Sequence, residues 1–378
     1  MTSALFQPLT IRGVTLANRI ALSPMTMQSA EEGCAQPWHF QHYGAFAASG
    51  LGVVTIESTA VAPDGRIGLN CLGLYSDACS DKFGELVRFI KSVGQAKVGI
   101  QLFYSGRKGS LITRDGVTRQ LTPAEGGWPQ IAPSALPFRD GWTAPKEADA
   151  DDIARLQGAW VDAARRAVAA GFDMVELHSA HGYGLHAWLS GITNRRTDGY
   201  GGSAENRMRF PLEVIRGIRA VLPDTMPFGM RISAVDGIEG GITLDESIAY
   251  VTAAKEAGID YVCCSSGGAI ADFRLPQAEG YQVPFAAEIR RRTGVITRAV
   301  GLIFDPHYAE SVIAEGKADF IALGRTLLDD PRWAFHAAEK LGEPLAYPQQ
   351  LSQLTLPRWP RDIVRNAPEW QTRRQPPE

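Results

Sequence analysis

The stretch Ala170-Gly-Phe-Asp-Met-Val-Glu-Leu-His-Ser-Ala-His-Gly-Tyr183 ends a helix, crosses a strand and finishes on three side chains with proton-transfer chemistry. Residues 152–170 before it have helical periodicity, and Ala-Gly-Phe-Asp at 170–173 stops the helix. Residues 174–178 are then a short, mostly apolar run bounded by a polar, glycine-containing turn, which predicts a buried strand. The same punctuation recurs at 257–260, Ala-Gly-Ile-Asp, ahead of a second such run at 261–265.

Working outward, strands are predicted at 20–22, 53–57, 98–102, 174–178, 228–232, 261–265, 295–300 and 320–323. Helical segments fall between them at 81–93, 152–170, 210–221, 244–257, 286–292 and 306–315, with another at 331–341. Strand–helix alternation repeated eight times implies an α/β fold, a closed (β/α)₈ TIM barrel, with an open doubly wound sheet as the competitor. Three regions depart from the repeat. Residues 1–18 read as a hairpin plugging the barrel floor, and 107–145, rich in Gly, Pro and Trp, as an ordered lid after strand 3. The barrel domain is 1–342; residues 343–378 form a Pro- and Arg-rich tail carrying Tyr347, Trp359 and Trp370, a composition that suits a subunit interface.

Composition narrows the function. Of 378 residues 45% are hydrophobic, which allows a large core, and a net charge of −3 without charge blocks argues against nucleic acid. No segment approaches the ~18 apolar residues of a membrane span, and the N-terminus lacks a basic region followed by an apolar core, so a cytoplasmic protein is expected. Cys34, Cys71, Cys79, Cys263 and Cys264 have no metal-type spacing and read as idle thiols; no metal is expected.

In such barrels the active site gathers at the C-terminal strand ends. Those positions hold Ser23-Pro24-Met25-Thr26, Gln101, the run from His178 to Tyr183, Arg231, Gly301 and Gly324-Arg325. Glycines after strands 7 and 8, with a guanidinium beside them, suit a phosphate-bearing ligand. His178 and His181 lack the third ligand of a His-Glu-x-x-His zinc site. Two imidazole donors and a phenol suit instead a carbonyl that becomes enolate-like beside a proton donor.

These residues resemble the old yellow enzyme family, most closely its thermophilic-like branch, which includes the bacterial xenobiotic reductases. The likeness covers about residues 4–342 and rests on His178-Ser-Ala-His-Gly-Tyr183, Asn194-Arg-Arg-Thr-Asp-Gly-Tyr-Gly-Gly-Ser203, Glu205-Asn-Arg207, Glu57-Ser-Thr-Ala-Val-Ala-Pro-Asp-Gly-Arg66, Ala299-Val-Gly301 and Ala322-Leu-Gly-Arg325. The resemblance implies an FMN-dependent ene-reductase. FMN would lie across the barrel mouth against Pro24, Met25, Thr26 and Ala60, with Gln101 at the pyrimidine edge, Arg231 at the N1/O2 region and Gly301, Gly324 and Arg325 on the phosphate. NADPH or NADH would reduce the flavin and leave. An activated alkene would take its place, its oxygen held by His178 and His181 and its α-carbon protonated by Tyr183. Gln28 and Tyr104 complete the expected substrate contacts, and a homodimer or homotetramer is expected, with a C-terminal residue crossing a two-fold interface.

Three departures from that branch stand out. Thr26 replaces a flavin-tuning cysteine, Gln28 a substrate-contacting tyrosine, and Phe103-Tyr104 the usual Ala/Trp-His pair. They leave the acid and the clamp in place and bear on substrate and flavin potential. Two other readings stay open: a flavin barrel dehydrogenase or desaturase working oxidatively, and a flavin-free lyase or aldolase. The second lacks a strand-end lysine for a Schiff base, since Lys97 precedes strand 3 and Lys108 lies in the excursion.

Overall fold

The computed structural model describes residues 3–271, 273 and 275–355. Eight parallel strands close into a barrel: β1 (Ile20–Leu22), β2 (Val53–Ala60), β3 (Lys97–Phe103), β4 (Met174–Ser179), β5 (Phe228–Ser233), β6 (Tyr261–Ser265), β7 (Ile296–Ala299) and β8 (Phe320–Leu323). Pairing of β8 with β1 (Ile321 to Ile20, Leu323 to Leu22) completes the ring. The helices that cover it are α1 (Pro37–Ala47), α2 (Asp77–Val93), α3 (Ala150–Ala169), α4 (Ala204–Arg219), α5 (Leu244–Glu256), α6 (Val283–Thr293), α7 (Pro306–Ala314) and α8 (Trp333–Leu341).

Local chemistry sets the boundaries. Asp149 caps α3, its carboxylate accepting from the Asp152 N–H at 2.9 Å while Asp152 reaches back to the Asp149 N–H. Gly171 at φ +86° ends the same helix, in the left-handed conformation that glycine takes without penalty. Helix α1 is absent from the sequence prediction. Its buried residues His39, His42, Tyr43, Phe46 and Ala47 do form one helical stripe, but two of them are histidines while Trp38 is exposed, so no clean apolar periodicity marks it.

Alternation along each strand sorts side chains into two cores. Val175 and Leu177 of β4 face outward into the large core beneath the helices, whereas Met174 faces inward. The inner core also holds Tyr261, Phe320 and Val53, and it is closed from below by Ile11 and Leu16 of the hairpin that pairs Leu9–Ile11 with Val14–Leu16. The hairpin is thus the expected floor plug. The excursion is ordered, with an antiparallel pair Leu111–Arg114/Val117–Gln120 and a Trp128 indole that donates to the Asp64 carbonyl at 2.9 Å. Where the tail begins, the Tyr347 ring stacks on Phe335 at 4.2 Å between centroids, so this part is held by its own barrel. Trp359, Trp370 and the tail arginines lie outside the described residues.

Candidate active site

The inward positions above the apolar floor form a buried polar layer. Ser58 donates to Gln101 Oε1 at 2.7 Å, and Gln101 Nε2 donates to Glu176 Oε1 at 2.8 Å. Arg298 hydrogen-bonds the other Glu176 oxygen and lies between the faces of Tyr261 and Phe320, with ring centroids 5.4 and 5.5 Å from its guanidinium carbon. Removing one member of such a buried pair costs about 3–5 kcal/mol, because the other charge is left without a partner. Gln101 therefore sits inside the barrel with both ends of its amide anchored, and it does not line the cavity at the mouth where a flavin edge was expected.

One turn further up, β4 delivers His178, and the loop after it delivers His181 and Tyr183. The His178 ring lies 5.2 Å from His181 and 5.3 Å from Tyr183, centroid to centroid, and Phe103 stands edge-on to both His178 and Tyr183. Burial, with help from the Arg231 and Lys108 charges, holds both imidazoles well below the usual histidine range, so both are neutral. Which nitrogen carries the proton follows from the partners. His178 Nδ1 accepts from the Ala180 N–H at 3.3 Å, which leaves the proton on Nε2. Ser265 Oγ accepts from Gln282 at 3.2 Å, so its own O–H can donate to His181 Nε2, 2.7 Å away, leaving the proton on Nδ1. Each ring thereby keeps one N–H donor. Burial pushes the half-buried Tyr183 phenol up to about 12, so it is protonated at neutral pH.

The turn that carries these groups is fixed from below. His181 and Gly182 both have left-handed backbone, φ +60° and +73°. A Cβ on Gly182 would stand 2.2 Å from the Gly268 carbonyl, so only glycine fits. The His181 N–H donates to Ser233 at 2.9 Å and the Gly182 N–H to His186 Nδ1 at 2.7 Å. The opposite His186 nitrogen faces Asp236 at 3.3 Å. Burial alone would raise the Asp236 carboxyl; His186, Ser190 and the Ile242 N–H more than offset that and hold it low.

Two adjacent cations tie the lid to this turn. Arg107 donates to the carbonyls of Leu136, Pro137 and Ala269, and Lys108 to those of His181 at 2.7 Å and Gly268 at 3.3 Å. A cavity of about 490 Å³ opens beside them, walled by Lys108, Phe138, Trp142 and Tyr183.

The second cavity, about 370 Å³, brings together Pro24, Met25, His181, Arg231, Gly301, Gly324 and Arg325, and it shares Ser266 and Tyr281 with the first. It fits a phosphorylated flavin on this chain's own features. Arg231 makes a 3.3 Å bond to Ser23, yet its buried Nε has no partner, so a cation waits for an acceptor at the mouth. Gly301 at φ +109° and Gly324 leave backbone uncovered where a Cβ would come within 3.0 Å of Gln282 and 3.3 Å of Met25 Sδ. Arg325 is exposed at the outer end, where a phosphate dianion would sit.

Not every expected residue is here. Tyr104 is a correction: its hydroxyl donates to Asp64 at 3.0 Å and its ring faces outward against Trp160, Trp188 and Phe210. In the β3 alternation Gly99, Gln101 and Phe103 point inward, so Phe103 takes the place assigned to its neighbour. Thr26, Gln28 and Ala60 line neither cavity. Ala60 is fully buried at the end of β2, in register with Phe103. Gln28 is exposed, in left-handed backbone at φ +50°. The loop carrying Thr26 and Gln28 hangs on Glu57, which accepts from the Met27 N–H at 2.7 Å and from Tyr43 at 3.1 Å. Burial raises the Glu57 carboxyl to about 7. Glu57, Phe103, Lys108 and the His186–Asp236 pair had gone unassigned in the sequence; Glu57 and Lys108 offered one signal, a charge beside an apolar run.

A closed (β/α)₈ barrel with a phosphate-type rim, an unsatisfied arginine at its mouth and neutral imidazole donors opposite defines a flavin oxidoreductase. The chain belongs to the NADH:flavin oxidoreductase / NADH oxidase family, that of old yellow enzyme, whose model matches residues 4–343. It is 44% identical over 352 residues to an NADPH dehydrogenase of Geobacillus thermodenitrificans, covering 93% of this chain and 98% of the relative. An NADPH dehydrogenase of Bacillus subtilis is 40% identical over 353 residues, with 93% and 98% covered. Among solved structures, morphinone reductase superposes with a TM-score of 0.74 at 25% identity, over 92% of each chain. The protein is an NAD(P)H-dependent flavin oxidoreductase, and its cofactor is FMN. No helix among the described residues is long and apolar enough to cross a membrane.

Proposed function

We propose that this protein is an ene-reductase that saturates the activated C=C bond of an enone, nitroalkene or similar small molecule at the expense of NADPH or NADH. The observation that carries this is the meeting of two neutral imidazole N–H donors and a protonated phenol at one lip of the mouth. FMN, when bound, supplies the hydride chemistry that links nicotinamide to alkene. Pro24, Met25, Arg231, Gly301, Gly324 and Arg325 would hold it, with Thr26, Ala60 and Gln101 behind.

His178 and His181 donate to the activating oxygen, and being neutral they polarise it without giving up a proton. Tyr183 holds the proton destined for the α-carbon. Phe103 packs against both His178 and Tyr183 and fixes their rings. Anaerobic turnover with NADPH across enones, nitroalkenes and enoyl thioesters tests the reading. The expected result is a saturated product from at least one class. NADPH oxidation that proceeds with oxygen while every alkene is returned unchanged would overturn it and favour the oxidative alternative.

The assembly we propose is a homodimer, or a dimer of such dimers, in which the tail contributes to the neighbouring site. Truncation after Thr355 keeps the Tyr347–Phe335 stack and removes only the outer tail. It should lower both the mass in solution and the apparent substrate affinity; a truncated protein unchanged in both would show that the tail has no such role.

A further inference from the structure

We propose that Lys108 is a positioning residue for Tyr183, its ammonium lying on the phenol ring to stabilise the negative charge that develops as the proton leaves. This rests on the assignment of Tyr183 as the acid. Lys108 Nζ is 4.3 Å from the centroid of the Tyr183 ring and 4.3 Å from that of Phe138, so two aromatic faces sandwich it. Its bonds to the His181 and Gly268 carbonyls hold it there, and among the described residues no carboxylate pairs with it. A carboxylate would neutralise the field at the ring; carbonyl dipoles fix the cation and leave most of its charge to act on the phenol.

The placement answers a difficulty at this site. Burial makes Tyr183 a weaker acid than a free phenol, and Phe103 and the neutral His178 meet its ring edge-on and bring no charge to it. The charged and titratable groups facing Lys108 are Arg107, His178, His181, Tyr183 and Arg139 on the cavity wall. Both histidines are neutral, which leaves Lys108 as the cation in contact with the ring. Phenol and phenolate differ in their attraction to a cation, so the contact favours the state reached after proton transfer.

Burial and the Arg107 charge bring the Lys108 ammonium down to about 7. The cation is present below that pH and lost above it, so the proton-transfer step should slow as pH rises through about 7.

The experiment uses the FMN holoenzyme in anaerobic stopped-flow, with each half-reaction followed separately from pH 5.5 to 9. Lys108→Met should slow alkene reduction roughly tenfold to thirtyfold at pH 6, the strength of a desolvated cation–π contact, and leave flavin reduction by NADPH unchanged. Its profile should lose the limb near pH 7, whereas Lys108→Arg should keep most of the rate and extend it above pH 7. In a Tyr183→Phe background Lys108→Met should add nothing, because the pair acts as one unit. An equal loss in both backgrounds, or in both half-reactions, would make Lys108 a lid anchor only and overturn the proposal, as would an unchanged rate in Lys108→Met. If Tyr183→Phe alone leaves alkene reduction unaltered, the acid assignment itself is wrong and this inference fails with it.

Discussion

The two lips of the mouth are built on opposite plans. The histidine lip is wired from inside: His181 and Gly182 are each held through the backbone, and one nitrogen of each clamp imidazole has a fixed partner. The phosphate lip is made of glycine backbone and one exposed guanidinium, with Arg231 still lacking a partner for Nε. The first must present N–H and O–H groups to a transient substrate at fixed separation, so its order is built into the protein. The second receives a resident ligand whose own charge can complete the network.

Mutations should therefore hurt differently at the two lips. The largest effect is expected from Tyr183→Phe, with alkene reduction slowed roughly 10²–10⁴-fold, as for loss of a proton donor, and flavin reduction nearly unchanged. Anaerobic stopped-flow of each half-reaction checks this, and equal slowing of both would remove the distinction between reacting group and scaffold. Next, His178→Ala or His181→Ala should weaken phenolic ligands that mimic an enolate. Each loses a hydrogen bond to a charged oxygen worth about 1.5–3 kcal/mol, roughly 10–150-fold in Kd. Unchanged charge-transfer absorbance and affinity in both variants would rule the clamp out. Arg325→Ala should have the smallest effect, about tenfold weaker FMN, the low end of that range because the side chain is exposed. Flavin fluorescence recovered on dilution measures it; a loss as large as that at the histidine lip would show the two lips to be equally preorganised.

Much of this was legible in the sequence because barrels repeat a simple punctuation. Short apolar runs after Ala-Gly-x-Asp stops located β4 and β6, and the rim residues followed from their position at or just past the C-terminal end of a strand. Legibility failed where period-two phase mattered. Nothing in Phe103-Tyr104 says which ring faces inward; that is decided by Gln101, whose amide belongs to the buried layer and sets the phase of β3. Lys108 was passed over because it lies in the excursion, and only the folded lid brings its ammonium over Tyr183. Helix α1 was missed because its buried stripe carries His39 and His42 while Trp38 faces solvent, and Glu57 because a bulge between Ile56 and Ser58 takes it out of the alternation.

The hydrogen bonds of the Arg107–Lys108 clasp go to carbonyl oxygens, while both cations also lie over the Phe138 ring. A carbonyl is common to every residue type, so apart from Phe138 the grip makes little demand on the identity of the residues it holds. Leu136 and Pro137 can change, and so can the hairpin before them, while the lid stays fastened to the catalytic turn. The lid is in that sense an interchangeable part. Its wall at Leu111 and Thr118, with Phe138 kept, can drift toward new substrates without disturbing the histidines or the tyrosine beneath. Exchanging residues 111–135 with those of a relative while keeping Arg107 and Lys108 would transplant a substrate range onto an unaltered reaction centre.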